Sequence, residues 1–219
     1  MTAVTAAMVK ELREKTGAGM MDCKSALKES DGSVEGAIEV LRKKGLKDLD
    51  KRSGKTAAEG VIGVYVHPGD QVVALVELNC ETDFVGRGDE FRQVARDIAM
   101  HVAAMKPKYL SVEEVPADTL EKEKEIISET LSEDQLKKAG DKIIEGKLNK
   151  FFDDTVLLRQ EFVKEVPEAK SVQDVVEKLA IKVGEKVSIR RFARFQVGEG
   201  IEKVQADFVS EVAAMTGNN

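Results

Sequence analysis

Tryptophan is absent from this 219-residue chain, aromatic residues make up only 5% of it, and there are just two cysteines, two histidines and four prolines. Cys23 and Cys80 are too few for a disulfide framework, and with His67 and His101 they form no recognisable zinc spacing, so neither a staple nor a structural metal is expected. Scarce proline, with 42% hydrophobic and 34% charged residues, describes a folded, helix-rich chain rather than a disordered or collagenous one. No stretch approaches the ~18 consecutive apolar residues of a membrane span, and Met1-Thr2-Ala3-Val4 lacks the basic, apolar and cleavage regions of a signal peptide. A cytoplasmic protein without a membrane partner is therefore expected, an organellar matrix or stroma being the alternative. The excess of 40 acidic over 34 basic residues, a net charge of −6, speaks against a general nucleic-acid binder and leaves room only for a local basic patch.

What is present falls into segments of different period. Residues 1–45 read as three short helices with glycine stops: Met8 and Leu12 stand four apart before Gly17, Ala26 and Leu27 precede Asp31-Gly32, and Ser33 caps a stripe of Val34, Ala37, Ile38 and Leu41 that Gly45 closes. The run RKKGLKDLDKRSGK at 42–55 is basic and poor in core residues, which places a solvated linker at 46–59. At residue 60 the period shifts to two. Two β-branched runs, 61–66 and 72–78, flank His67-Pro68-Gly69-Asp70 and read as a β-hairpin. Downstream, Val187, Ile189, Arg191, Ala193, Phe195 and Val197 alternate with polar neighbours as the mostly apolar face of a third strand.

Helices fill the interval. Phe91, Val94, Ala95, Ile98 and Val102 form one stripe over 90–105. Asp118 with Glu121, and Ser132 with Gln135, have capping-box spacing and start two charged helices whose narrow seams (Leu120, Ile127, Leu131; Leu136, Ile143, Leu148) suit an antiparallel helical hairpin at about 118–150. Ser171 and Asp174 open a helix carrying Val172, Val175, Val176 and Leu179 and closed by Gly184. A last amphipathic helix carries Val204, Phe208, Val212 and Met215.

Searches for chemistry mostly fail. Gly54-Lys55-Thr56 lacks the earlier glycine and the strand of a phosphate loop, position 49 being leucine, and Gly17-Ala18-Gly19 lacks the strand and third glycine of a dinucleotide fingerprint. Cys80 has no orienting group that would make it a nucleophile with His101, so a buried thiol and a hydrogen-bonded structural histidine are expected, and no enzyme site. Two places stand out. Met20 and Met21 follow Gly19 in what reads as an inter-helix loop, where they either form an adaptable partner surface or tuck into the three-helix core. Phe84 stands among turn residues in Thr82-Asp83-Phe84-Val85-Gly86-Arg87-Gly88, either folded back on its own core or a knob for a partner's pocket. A rival reading as an RNA- or ribosome-binding scaffold rests on the 42–55 run and on Arg190, Arg191 and Arg194.

These two places also carry a family likeness. The stretches Leu12-Arg13-Glu14-Lys15-Thr16-Gly17-Ala18-Gly19-Met20-Met21-Asp22-Cys23-Lys24-Ser25-Ala26-Leu27 and Glu77-Leu78-Asn79-Cys80-Glu81-Thr82-Asp83-Phe84-Val85, with 98–104 and 197–204, resemble the translation elongation factor Ts family, the guanine-nucleotide exchange factors of elongation factor Tu. Because the TDFV segment runs almost directly into IAMHVAA at 98–104, the chain resembles the short form with one core subdomain. The resemblance implies an α+β protein: a ubiquitin-associated-like three-helix domain at 1–45, a core at 60–200 built on a small three-stranded antiparallel sheet and including the helical hairpin, and a C-terminal helical module at 201–219. It implies that Thr82, Asp83, Phe84 and Val85 enter the partner's G domain near the magnesium and phosphates, that Arg13, Met20, Met21 and Lys24 grip that domain, and that Val163 and Met215 add contacts. It further implies binding without covalent chemistry, no cofactor or bound metal, elongation factor Tu as partner, no stable nucleic-acid binding, and a homodimer as a possible part of the complex.

Overall fold

The computed structural model describes residues 4–16, 18–52, 54–167 and 169–201. The expected C-terminal helix with Met215, and Gly17 as a helix stop, lie outside the described residues. The chain opens with α1 (Ala6–Thr16), α2 (Met20–Glu29) and α3 (Val34–Arg52). Their apolar faces close a small core of Val9, Leu12, Cys23, Ala26, Leu27 and Ala37. Ser33 Oγ accepts the Gly36 N–H at 3.1 Å, the cap that its position implies. Gly45 does not end α3. The helix continues to Arg52, so the first seven residues of the expected linker are helical. Gly45 is instead a contact residue, since a Cβ there would lie 2.8 Å from Ile181 Cδ1 on a later helix. Absence of a side chain lets the two helices touch.

A hairpin follows: β1 (Glu59–Val66) pairs antiparallel with β2 (Val72–Cys80), through a turn in which Gly69 and Asp70 take φ of +91° and +56°. One short turn, α4 (Asp83–Gly86), leads into α5 (Asp89–Met105). The α5 stripe of Phe91, Ala95, Ile98 and Val102 is buried as its period implies. The sheet lies directly on this helix: a Cβ at Gly63 would overlap the Ala95 carbonyl.

A helical hairpin consists of α6 (Ala117–Glu129) and α7 (Glu133–Thr155), with Ile127 buried. Pro116, not Asp118, stands at the α6 N-cap and no side chain caps it, so the capping-box spacing at Asp118 and Glu121 is coincidental. Beyond it come β3 (Glu161–Val166), β4 (Ala169–Ser171), α8 (Val172–Val183) and β5 (Ser188–Gln196). The small β3–β4 ribbon has no period visible in sequence. The α8 helix shows the expected capping box at Ser171 and Asp174 and the Gly184 C-cap, with φ +69°.

The main sheet has the order β1-β2-β5, all antiparallel. Here the strand pattern needs a correction. A bulge at Arg190, between the pairs Glu77–Arg191 and Leu78–Ile189, moves the side chains beyond it to the opposite face. Ile189 and Phe192 therefore meet the core, and Arg194 turns inward to donate to the Ala103 carbonyl at 3.2 Å. Arg191, Ala193 and Phe195 face outward, where the register sets them beside Glu77, Leu75 and Val73. Ile62, Val64, Val66, Phe195 and Val197 are all exposed. The sheet thus has a covered face under α5 and an apolar face that no described segment covers.

His101 on α5 is fully buried. Its Nδ1 accepts the Val163 N–H at 3.2 Å, which makes Nε2 the donor to Gln160 Oε1 at 3.0 Å, and the ring stacks on Phe162 at 5.5 Å. Burial lowers its pKa, and protonating Nδ1 would set it against the Val163 N–H. Because the unfolded chain takes up the proton first, stability is complete above pH ~6.5 and falls below it toward the depressed folded-state pKa, by up to about 1.4 kcal/mol per pH unit. Urea unfolding between pH 7.5 and 5.5 should show this loss in the parent and not in His101→Asn; parallel curves for the two would refute it.

Candidate functional site

The segment after β2 is where exposed apolar surface and fixed backbone coincide. Phe84 is 84% exposed, the most exposed of the large apolar side chains among the described residues, and it rides on the single turn α4. Such a turn cannot hold itself, because helix nucleation fixes several residues for one hydrogen bond. Its own ties are modest. Thr82 Oγ1 accepts the Val85 N–H at 3.4 Å, and Asp83 pairs with Arg87 at 2.8 Å on the open surface.

Stronger ties come from below and from the side. Val85 packs on the main core, Gly86 is buried against Gly60 and Cys80, and the Cys80 thiol donates to the Thr82 carbonyl at 3.1 Å. From the α8–β5 connection, Glu185 accepts the N–H groups of Glu81 and Thr82 on Oε2, at 3.1 and 3.0 Å, and the Thr82 hydroxyl on Oε1 at 2.6 Å. Glu81 returns the arrangement: its Oε1 accepts the Lys186 N–H at 2.7 Å and a guanidinium hydrogen of Arg52, at the end of α3, at 3.1 Å. The Lys186 N–H, then Arg52, holds the Glu81 carboxyl below its ordinary pKa. Burial, then the charge of Glu185, pushes the Cys80 thiol up, the reverse of what a nucleophile requires. Both His101 nitrogens are engaged with Gln160 and Val163 rather than with Cys80.

The N-terminal candidates form a second exposed group. Met20 and Met21 are 60% and 75% exposed and are the first residues of α2 rather than a loop, so they stand in solvent and do not tuck into the three-helix core. Lys24 lies one turn further along α2, and Arg13 is exposed on α1. Val163 is half exposed on β3, with its backbone on the His101 ring. That places it twelve residues, about 18 Å of helix, along α5 from the end that α4 enters. The structure thus brings Thr82, Asp83, Phe84 and Val85 together, links them through Arg52 to α3, and leaves Val163 apart.

The arginines behind the scaffold reading are engaged internally. Arg190 and Arg191 bind Glu77 at 3.0 and 2.6 Å and lower its pKa, and Arg194 serves the Ala103 carbonyl. Among the described residues no acidic, histidine or cysteine cluster could hold a metal ion, and no helix is long and apolar enough to cross a membrane. Sequence reasoning missed Glu185, Lys186 and Arg52. A signal existed for Glu185: a carboxylate just past a helix C-cap meets the negative end of the helix dipole and needs donors from elsewhere.

Comparison with known proteins agrees with this architecture. Residues 3–199 match the family described as Elongation factor TS. The Elongation factor Ts of Desulforamulus reducens is 52% identical over 215 residues, covering 98% of either chain. That of Finegoldia magna is 49% identical over 226 residues, covering 99% of this chain and all of its own, and that of Geobacter sulfurreducens 50% identical over 215 residues, covering 98% and 99%. With one family spanning nearly the whole sequence at about half identity, and with the TDFV segment displayed at the end of a braced strand, the chain belongs to the elongation factor Ts family.

Proposed function

We propose that this chain is a guanine-nucleotide exchange factor of translation elongation that acts in the cytoplasm by binding elongation factor Tu carrying GDP, presenting α4 to its G domain near the magnesium and phosphates, and so promoting GDP release. One observation carries the reading: Phe84 is displayed to solvent on a turn that is tied down on three sides. A large apolar side chain held in water is unfavourable by ~1.5–3 kcal/mol relative to burial, and that free energy is recovered in a partner's pocket. No covalent bond need change. A factor that binds the nucleotide-free partner better must, by reciprocity, weaken nucleotide binding by the same ratio.

In this reading Phe84 is the wedge, Asp83 brings charge toward the metal and phosphate region, and Thr82 and Val85 fix the turn. The ubiquitin-associated-like N-terminal unit grips the same G domain with Arg13, Met20, Met21 and Lys24, while Val163 and Met215 supply outlying contacts. The sheet face that no described segment covers favours a homodimer as well. Its central rows, Val64-Leu75-Ala193 and Val66-Val73-Phe195, carry no charge, and a second copy of the same face is complementary to it.

Three measurements test this. Release of fluorescent GDP from elongation factor Tu should be accelerated by catalytic amounts of the protein, and Phe84→Ala should lose at least ~30-fold of that acceleration, the truncation cost of ~2 kcal/mol at a hot spot, with its thermal unfolding unchanged; near-parent exchange would remove the wedge. Met20→Ala with Met21→Ala should weaken complex formation by about 10-fold or more while shifting stability by less than ~0.5 kcal/mol, as exposed positions do; parent-like complex formation would remove them from the interface. In sedimentation at micromolar concentration the parent should run as a dimer and Phe195→Glu as a monomer, and a monomeric parent would end the dimer reading.

A further inference from the structure

Glu185 lies 103 residues from Thr82 in sequence and outside every segment so far given a role, yet it supplies three acceptor contacts to Glu81 and Thr82, the two residues that lead into Asp83 and Phe84. All three are hydrogen bonds to an ionised carboxylate, the stronger kind. They also divide the work at Thr82. Since the hydroxyl hydrogen is drawn to Glu185 Oε1, the oxygen lone pairs are left toward the Val85 N–H, the contact that starts α4. We propose that Glu185 is a positioning residue for nucleotide exchange, acting through the Thr82 cap to hold α4 at the one orientation in which Phe84 stands off the sheet.

The surrounding geometry supports a positioning role over a merely structural one. Main-chain pairing between β2 and β5 already joins the two strands, down to Asn79 opposite Ser188. The Glu185 contacts begin where that ladder stops and extend restraint by two residues into the turn. Glu81 provides the reciprocal tie to Lys186, so the two connections can neither slide nor splay. Arg52 brings the end of α3 to the same carboxylate, and the Lys186 ammonium donates to the Lys55 carbonyl at 2.9 Å. The N-terminal unit and the wedge thereby share one anchor.

This inference rests on the proposed role of Phe84, and the test separates the two. The rate of fluorescent GDP release from elongation factor Tu is measured against concentration of the full-length protein, giving a half-saturating concentration and a maximal rate. Glu185→Ala should lower the maximal rate about 10-fold and leave half-saturation within about 3-fold, because the binding surface is intact while the productive geometry is rarely held. Glu185→Gln keeps one carbonyl oxygen for the two amides and should recover most of the rate. Adding Glu185→Ala to Phe84→Ala should cost no more than about 2-fold beyond Phe84→Ala alone, since one acts through the other. In the free protein, amide hydrogen exchange should quicken at Glu81 and Thr82 but not at Val76 and Leu78 of β2.

A parent-like maximal rate in Glu185→Ala, with Phe84→Ala still defective, would overturn the positioning role and leave the wedge standing. Fully multiplicative losses in the double variant would also overturn it. A parent-like Phe84→Ala would sink the wedge and this inference together. Should Glu185→Ala unfold, Thr82→Val decides: it is nearly isosteric and removes only the hydroxyl, so a loss of maximal rate about 10-fold supports the proposal and an unchanged rate overturns it.

Discussion

The exchange of backbone hydrogen bonds between two carboxylates, Glu81 and Glu185, is the constraint on which the display of this surface depends. Each carboxylate accepts N–H groups from the segment that carries the other, across the junction where β2 leaves the sheet and β5 enters it. A four-residue turn has too few internal bonds to hold a shape. Bound this way, it takes over the rigidity of the sheet. The close fit of Gly63 on α5 and of Gly86 on Gly60 completes the support, since each lets backbone approach backbone without an intervening side chain.

The molecule keeps apolar surface in water at several separate places: the start of α2, the tip of α4 and the outer face of the sheet. Folding alone would bury these groups. Each site is backed by an element that prevents such burial. Met20 and Met21 point away from a helix whose other side is filled by Cys23, Ala26 and Leu27, and Phe84 sits beyond a capped turn whose next residue, Val85, already fills the space over the core. Among the described residues the outer sheet face has no cover, because α5 and α8 lie on the side of the main core.

Much of the fold could be read directly. The α5 stripe, the β1–β2 hairpin, the α8 capping box and the small α1–α3 core all follow from period and cap chemistry at neighbouring positions. Misreadings arose where one residue answers to something distant. Gly45 looks like a helix stop until Ile181 is seen against it, and the β5 alternation holds only up to Arg190, where a bulge opposite Glu77 and Leu78 reverses the faces. Asp118 has the spacing of a cap, but α6 already starts at Ala117 behind Pro116.

The sequence by itself determined most of the local elements, the small α1–α3 core, the buried stripes of α5 and α8 and the two signature segments, because these depend on residues a few positions apart and on the residue types themselves. Only the tertiary structure decided that Met20, Met21 and Phe84 face water, which face of β5 is covered, and that Glu185 meets Thr82. Those outcomes depend on contacts across about a hundred residues, as between Glu185 and Thr82, and the direction of a side chain on a strand reverses with a single inserted residue.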